Sequence, residues 1–365
     1  MKHDNGVPLT YRVIQFSTGN VGQHSLRHII EHPDLELVGV HASSPAKVGR
    51  DAAELCGMSE PTGITATDDL KALLDLGADC VVYTSQGETR GPGALDEITA
   101  FLRAGTNVVA SSMVWLVNPD AADKWLRDPL EAACLEGGST MYVNGIDPGF
   151  SGDMLPFAAL SLCQSATSVL VQEVFDYGSY DDAEFTGVSF GFGLTPEQDP
   201  PVMFLPGVLR SIWGGPVAHL AECLGVELDE LRERHETWVT PTVIECTMMR
   251  VEPGQVAAVR FAVEGIKDGE PVIVMEHVNR LTQAAAPDWP YPPDGRGGVH
   301  RVVVTGRPGV EINAHVGSGD LDQNDGGVIA TAAKVVNAVA AVCAARPGLV
   351  ALRDLPIDQV HGLMR

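Results

Sequence analysis

Positive charge is scarce in this chain. Its 365 residues carry 24 Lys and Arg against 48 Asp and Glu, a formal net charge of −24. That excludes nucleic acid as a partner, because phosphate backbones need a basic surface. It does not exclude an anionic small molecule, which meets only the local field of its pocket. Cysteine pairs are missing too. Cys56, Cys80, Cys134, Cys163, Cys223, Cys246 and Cys343 are scattered with no CxxC spacing. An odd number of isolated cysteines, several inside apolar runs, reads as reduced thiols used as small core residues. No uninterrupted apolar run approaches the roughly 20 residues that span a bilayer. "MKHDNGVPLTYR" has no apolar core of the kind a secretory signal requires. No internal repeat or low-complexity tract occurs. With 45% hydrophobic and 20% charged residues, the chain has enough apolar matter for a substantial core. A soluble, cytoplasmic, globular protein of two domains or one large one is expected, with no membrane partner.

One further absence is local. The run "VIQFSTGNVG" (13–22) leads into the amphipathic "QHSLRHIIEH". This is the strand, turn and helix start of a dinucleotide site, G-x-G-x-x-G, without its first glycine. Ser17 stands in that place, and it fits if its backbone keeps a negative φ. Gly19 and Gly22 hold the second and third positions. The former lets the backbone approach a pyrophosphate, and the latter lets helix and strand pack closely. Ser17, Thr18, Asn20 and Val21 complete the loop.

The surrounding pattern supports this. "YRVIQFS", "LELVGVHA", "ADCVVYTS", "TNVVASS" and "STMYVNG" are apolar strands. Between them come helices at Gln23 to Glu31, "DDLKALLDLG" (capped by Asp68 or Asp69 and ended at Gly77) and "GALDEITAFLRAG". Such alternation predicts a parallel sheet covered on both faces. Ligands bind at the carboxyl ends of its strands. Those ends hold "STGNVG", "HASSPAK", "YTSQGE" with Thr84, "ASSMVW" with Ser111 and Ser112, and "NGIDPGF" with Asp147, Pro148 and Gly149. NAD sites carry an acid about 20 residues after the glycines. "VGVHASSPAKVGR" has none between Val38 and Arg50. It offers Ser43, Ser44, Lys47 and Arg50 instead, a set suited to a 2′-phosphate. NADP is therefore the expected cofactor, with NAD possible.

After "GIDPGFSGDMLP" the pattern changes. "SVLVQEVFDY", "TWVTPTVIECTMMRV", "QVAAVRFAVEGI", "PVIVMEHVNRL" and "HRVVVTG" read as strands. No long helix separates the last four, so an α+β domain with an antiparallel sheet is expected. "LPGVLRSIWGG" and "PVAHLAECLG" read as helices. "GVIATAAKVVNAVAAVCAA" is a helix capped by Asn324 or Asp325 that returns to the nucleotide domain. The predicted domains are 1–150, 151–320 and 321–365. The Pro/Gly loop 284–298 is expected to be exposed or a pocket lid.

Three motif matches fail in context. "GVSFG" (187–191) lacks the helix that forms a nucleophile elbow. "DLDQNDGG" (320–327) has its glycine one position late for a calcium loop and Thr331 where the bidentate Glu belongs. His24, His28 and His32 share one helix face and read as a solvated stripe near a helix C-terminus, where imidazolium suits the dipole. No metal is expected.

"STGNVG", "KVGRDAAEL", "NGIDPGF", "VMEHVNRL", "PDWP" and "DGGVIATAAKVVNAV" together resemble the 2,4-diaminopentanoate dehydrogenases and NAD(P)H-dependent amine dehydrogenases, a dihydrodipicolinate reductase-like group. The resemblance covers nearly the whole chain. It implies a Rossmann domain, an α+β substrate domain whose sheet helps form a homodimer, and hydride transfer between NAD(P)H and a carbonyl or imine in the cleft. It places "GIDPGF" beside the nicotinamide, although this group more often has Asn where Asp147 stands. The chain departs from true dihydrodipicolinate reductase, whose His-His, Lys and "DAPSGT"-type stretches are absent. The amine dehydrogenases of the group also carry a glutamate after the strand matching "TNVVASS", which orients and deprotonates the amine. Here its place falls on Met113 or Val114, neither of which exchanges a proton. Ammonia-dependent turnover is therefore expected to be weak. The substrate is expected to be a small carbonyl, imine or amine, with Met113, Val114, Phe150, Tyr177, Phe190 and Trp213 lining its pocket. Ser112 and Asp147 are the candidate proton donors. The alternative is a non-catalytic NADP-binding sensor or subunit.

Overall fold

The computed structural model describes residues 10–357 and 359–364. The chain divides into two compact units. One takes the chain up to Ile146 and again from Val328 onward; the other is Asp147–Gly327.

The first unit is built on apolar strands too short and too buried to face water. β1 (Tyr11–Phe16), β2 (Leu35–His41), β3 (Ala66–Thr67), β4 (Cys80–Tyr83), β5 (Asn107–Ala110) and β6 (Thr140–Val143) join a last strand, Gly348–Val350, in one parallel sheet. Its order is last–β6–β5–β4–β1–β2–β3. β4 and β6 bury every residue, as a sheet covered on both faces requires. Ile14, Phe16, Val81 and Val108 pack with Ile98, Phe101, Leu126 and Leu130 of helices Pro92–Arg103 and Lys124–Gly137. The opposite parity, Val13, Val82, Val109 and Tyr142, packs with Ile29, Val335, Val339 and Val342.

Several local expectations change. Helix α1 spans Asn20–Glu31 and so starts three residues before Gln23, directly on the glycine turn. Burial pushes the His28 imidazole down to about 4, with His32 adding to the effect. The imidazolium–dipole reading of the histidine stripe therefore fails at its middle member. The C-terminal helical segment Gln323–Cys343 has 21 residues and a mean hydropathy of 1.7, so by length and composition one segment does reach the dimensions of a span. Its Val335, Val336, Val339 and Val342 are buried in the core of the first unit. The cap at its start is Asp322, whose Oδ1 accepts from the amides of Asn324 and Asp325 at 2.9 Å each. Asn324 instead donates to Asp176 O and Ser179 Oγ.

The second unit holds β7 (Ser165–Asp176), β8 (Glu230–Val239), a short hairpin β9 (Ile244–Glu245) and β10 (Arg250–Val251), then β11 (Val256–Lys267), β12 (Glu270–Arg280), β13 (Gly298–Arg307) and β14 (Val310–Ala314). The main sheet runs β14-β13-β7-β12-β11-β8. It is antiparallel except for the β7–β12 pair, which is parallel. β8 is the strand that sequence pattern hides. "ELRERHETWV" alternates charges, and only its last three residues were expected to be extended. "TWVTPTVIECTMMRV" is accordingly not one strand but the end of β8 and the small hairpin. The two helices expected at 205–225 are one, Val208–Leu224, with Pro216 inside it. "GVSFG" lies at the end of helix Ala183–Phe190, with no strand–turn–helix elbow. One sheet face carries Val169, Val171, Phe261, Val263, Met275, Val302 and Val304 into a core with Trp213, Val217 and Leu220. The other parity carries an ion lattice in which Arg234 bonds Glu264 and Glu276, and Arg260 and Gln172 also bond Glu276. Loop 284–298 is fastened at its start. Ala285 and Ala286 are buried, and the buried Arg280 donates from Nε to Ala285 O at 2.9 Å while lying 4.2 Å from the Tyr291 ring centre.

Candidate functional site

The turn between β1 and α1 needs glycine-like conformations, and one of them falls on a serine. Ser17 has φ +85°, not the negative φ expected of it. A non-glycine residue there costs on the order of 1–3 kcal/mol, so its surroundings must hold it. They do so through a buried amide. Gln15 Nε2 donates to Ser17 O and to Thr84 Oγ1, both at 2.8 Å, and Gln15 Oε1 accepts from Ser25 Oγ at 2.7 Å. Thr84 Oγ1 donates in turn to Phe16 O at 3.1 Å. Thr84 therefore clamps the turn from the neighbouring strand. Ser17 Oγ accepts the Gly19 amide at 3.4 Å.

The two glycines differ in what they permit. A Cβ on Gly22 would lie 2.4 Å from Ser17 O and 3.0 Å from Thr84 Oγ1, so helix and strand approach too closely for any side chain. A Cβ on Gly19 would meet nothing nearer than Ser17 Oγ at 3.8 Å, which leaves open space on the outer side of the turn. Gly19 is also the N-cap of α1, with no side-chain cap and no acid in the first turn, where Asn20 and Val21 lie. Uncapped amides at the positive end of a 12-residue helix, beside open space, fit a pyrophosphate.

Beyond the turn, β2 ends at His41, which stacks on Phe16 with centroids 3.8 Å apart. Ser43 and Ser44 are exposed. Lys47 Nζ donates to Thr18 O at 2.6 Å, so its charge already sits against the glycine turn. Arg50 is turned to Glu54, 2.6 Å away, and its exposed guanidinium is shared with that acid. At the β5 end, Ser111 N donates to Tyr83 O at 3.1 Å. Ser112 is buried, and its Oγ has no partner among the described residues. Met113, at φ +61°, is packed in the core of the first unit, while Val114 opens a single half-buried turn.

The second unit contains the other polar cluster. Strand register places His235, Phe261, His277, Glu173 and His300 in one row across five adjacent strands. Phe261 stacks on His277 at 4.7 Å, and Trp213 meets the same imidazole at 4.5 Å. Asp147 accepts three hydrogen bonds, from Trp213 Nε1 at 2.7 Å, Ser151 Oγ at 2.6 Å and His277 Nε2 at 3.1 Å. Burial alone would raise its pKa; the charge and hydrogen bond of His277 outweigh that and hold the carboxyl well below the usual range. Burial likewise works against the His277 imidazolium, but the Asp147 charge reverses the balance and raises its pKa. Both shifts favour the carboxylate form of Asp147, which cannot donate a proton, and the protonated form of His277. Pro148 and Gly149 are buried in the turn that carries Asp147. Phe150, Tyr177, Phe190 and Trp213 all belong to the same apolar cluster, with Tyr177 and Phe190 6.2 Å apart. Glu173 accepts from Tyr177 OH at 3.1 Å and Asn279 Nδ2 at 2.9 Å. Asp147, Glu173 and His277 also bring one donor atom each within 4.8 Å of one another, a spacing that a cation fits.

Sequence reasoning passed over Gln15, Ser25, Glu173, His277 and His300. A parity signal was available for the last three. Glu173 shares a strand face with Val169 and Val171, and His277 with Met275, so each is a polar residue on an inward, apolar face.

The profile of the 2,4-diaminopentanoate dehydrogenase C-terminal domain matches residues 161–364, and that of the dihydrodipicolinate reductase N-terminus matches residues 13–109. The chain is 38% identical to an amine dehydrogenase of Streptomyces virginiae, over 96% of this chain and 97% of the relative. It is 24% identical to the 2,4-diaminopentanoate dehydrogenase of Acetoanaerobium sticklandii, over 95% and 94%. In fold it is similar to the amine dehydrogenase from Mycobacterium smegmatis, with a TM-score of 0.74 at 19% identity over 96% and 97% of the two chains.

Proposed function

The chain belongs to the family of 2,4-diaminopentanoate and amine dehydrogenases, and on that premise we propose that it is an NADP-preferring reductase of a small carbonyl or imine in which His277 exchanges the proton. It is an NAD(P)-dependent oxidoreductase, which sets aside a purely sensory role. The nicotinamide, when bound, supplies the hydride. Uncapped amides of α1 beside Gly19 suit its pyrophosphate, and Lys47 suits a 2′-phosphate, through a charge-assisted hydrogen bond.

The observation that carries the proposal is the His277–Asp147 pair. An imidazole fixed by an ionised carboxylate on Nε2 keeps Nδ1 for another partner, and Nδ1 has none among the described residues. Protonated, that nitrogen donates to a carbonyl oxygen or imine nitrogen as charge develops there; neutral, it takes the proton back in the reverse direction. Phe261 and Trp213 hold the ring in place. Apolar walls from Phe150, Tyr177 and Phe190 suit an apolar substrate body. The relatives' names make an amine the corresponding product or substrate.

The test follows NADPH absorbance with small ketones, aldehydes and cyclic imines, for wild type and His277→Asn. General-acid loss costs about 10²–10⁴-fold in rate, with NADP affinity unchanged. An unaltered kcat in the variant would remove His277 from the chemistry.

A further inference from the structure

Resting on that reading, we infer that Glu173 is the carboxylate that receives the substrate's nitrogen as a cation, so that the second unit binds a primary ammonium or iminium group. The two carboxylates that flank His277 are compensated very differently. Asp147 has His277 at 3.1 Å. Glu173, equally withdrawn from water, is held by two neutral donors, the Tyr177 hydroxyl and the Asn279 amide. Its nearest basic group is His300, with Nδ1 4.0 Å from Oε2. Burial depresses the charged form of that imidazole. Asp147 and Glu173 thus share one imidazolium, His277, with a ring nitrogen within 4.8 Å of both carboxylates, and a cationic ligand supplies the second positive charge.

The groups around Glu173 select among cations. His300 is 1% exposed, and both its ring nitrogens lack partners among the described residues. Asn279 is fully buried, its amide nitrogen donates to Glu173 Oε1, and its Oδ1 is unpartnered among the described residues. With His300 neutral, the cluster offers three acceptors, a carboxylate oxygen, a ring lone pair and an amide oxygen, against one donor, the ring N–H. An ammonium carries three N–H donors and satisfies such a set; a carbonyl oxygen brings only further acceptor capacity. Phe175 lies 4.9 Å from the His300 ring, with Tyr177 beside Phe175, so aromatic faces border the site as they do around other ammonium groups. Glu173 on β7 is a carboxylate outside Met113 and Val114, the positions on which the family's glutamate falls. The expectation of weak amination rested on those two positions alone.

The probe pair is cyclohexylamine, protonated at about pH 8, and cyclohexanol, its neutral isostere. Each is titrated by calorimetry into protein saturated with NADP. Wild type should bind the ammonium roughly tenfold or more tighter than the alcohol. Glu173→Gln should erase that preference while leaving NADP affinity unchanged. If Glu173→Gln does not fold, His300→Phe gives the second reading, a severalfold loss of ammonium affinity with the alcohol unaffected. A preference that survives both variants overturns the inference. So does wild-type protein that binds the alcohol as tightly or binds neither compound. Stoichiometric divalent metal retained by purified wild type and lost in Glu173→Gln also overturns it. The binding readout needs no turnover. Glu173-dependent ammonium binding without NADPH oxidation would therefore sink the proposed reaction and leave the site standing.

Discussion

His277 reaches Asp147 through Nε2 at 3.1 Å although 130 residues separate them, and Glu173 is the direct register neighbour of the same histidine. One imidazole is therefore fixed between two carboxylates, bonded to the first and flanked by the second. The pair's linkage to pH follows from the two shifts. His277 is raised, so the stability it contributes is complete below its ordinary value near 6.5 and is lost as pH climbs through the raised one. Asp147 is lowered, so its contribution is complete above the ordinary carboxylate value and is lost only in strong acid.

Thermal melts of wild type and Asp147→Asn between about pH 5 and pH 9 check this. Removing one partner of a buried pair costs about 3–5 kcal/mol, so the variant should melt well below wild type near pH 6. The gap should narrow as pH rises beyond 6.5. A gap that widens with pH would show that the histidine is not charged in the native state.

The glycine turn gives opposite expectations at two neighbouring positions. Gly22→Ala drives a methyl to 2.4 Å from Ser17 O, a backbone atom that cannot yield cheaply. It should cost about 1–3 kcal/mol of stability and abolish binding of both NADP and NAD. Ser17→Gly relieves a φ of +85°. Glycine's greater unfolded freedom offsets part of that, leaving a gain of up to about 1 kcal/mol. Urea denaturation of the two variants measures both effects. A destabilised Ser17→Gly would mean that the Ser17 Oγ bond to Gly19 outweighs the strain.

The turn itself was legible because strand, loop and helix are consecutive, and Gly19 and Gly22 announce themselves at fixed spacing. The clamp beneath it was not. Gln15 is a polar residue inside an apolar strand, and its partners Ser25 and Thr84 lie 10 and 69 residues away. The same limit hid the Glu173–His277–His300 row, which exists only once β7 lies between β12 and β13. β8 was missed for another reason. Its Arg232 and Arg234 serve an ion lattice on one sheet face, so it lacks the apolar alternation by which strands are read.

That lattice bears on assembly. The expected homodimer was motivated by apolar strands with few helices to cover them, but one face of the sheet carries Arg232, Arg234, Arg260, Glu264 and Glu276. A homodimer through this face should be held substantially by polar contacts and be weakened by salt. Light scattering at micromolar concentration should give twice the chain mass at low ionic strength, with Arg234→Ala and Arg260→Ala shifting the equilibrium to monomer. A monomer under all conditions would contradict the dimer.

Cofactor choice turns on two cations that composition alone treats as equals. Lys47 Nζ is 2.6 Å from Thr18 O, inside the glycine turn, and no acid among the described residues holds it. Arg50 is exposed and bonded to Glu54. A phosphate on the ribose next to the turn would draw on Lys47 without breaking an ion pair, whereas recruiting Arg50 requires it to leave Glu54. A charge-assisted hydrogen bond contributes about 1.5–3 kcal/mol, which is roughly 10- to 150-fold in affinity. Lys47→Ala should therefore weaken NADP by about that factor and change NAD little. Arg50→Ala should leave the NADP-to-NAD ratio nearly as it is, and Ser43→Ala and Ser44→Ala should fall between the two. Fluorescence titration of both cofactors into the four variants measures the ratio. Equal weakening of NADP and NAD by Lys47→Ala would assign the lysine to holding the turn through Thr18 and leave the 2′-phosphate without its cation.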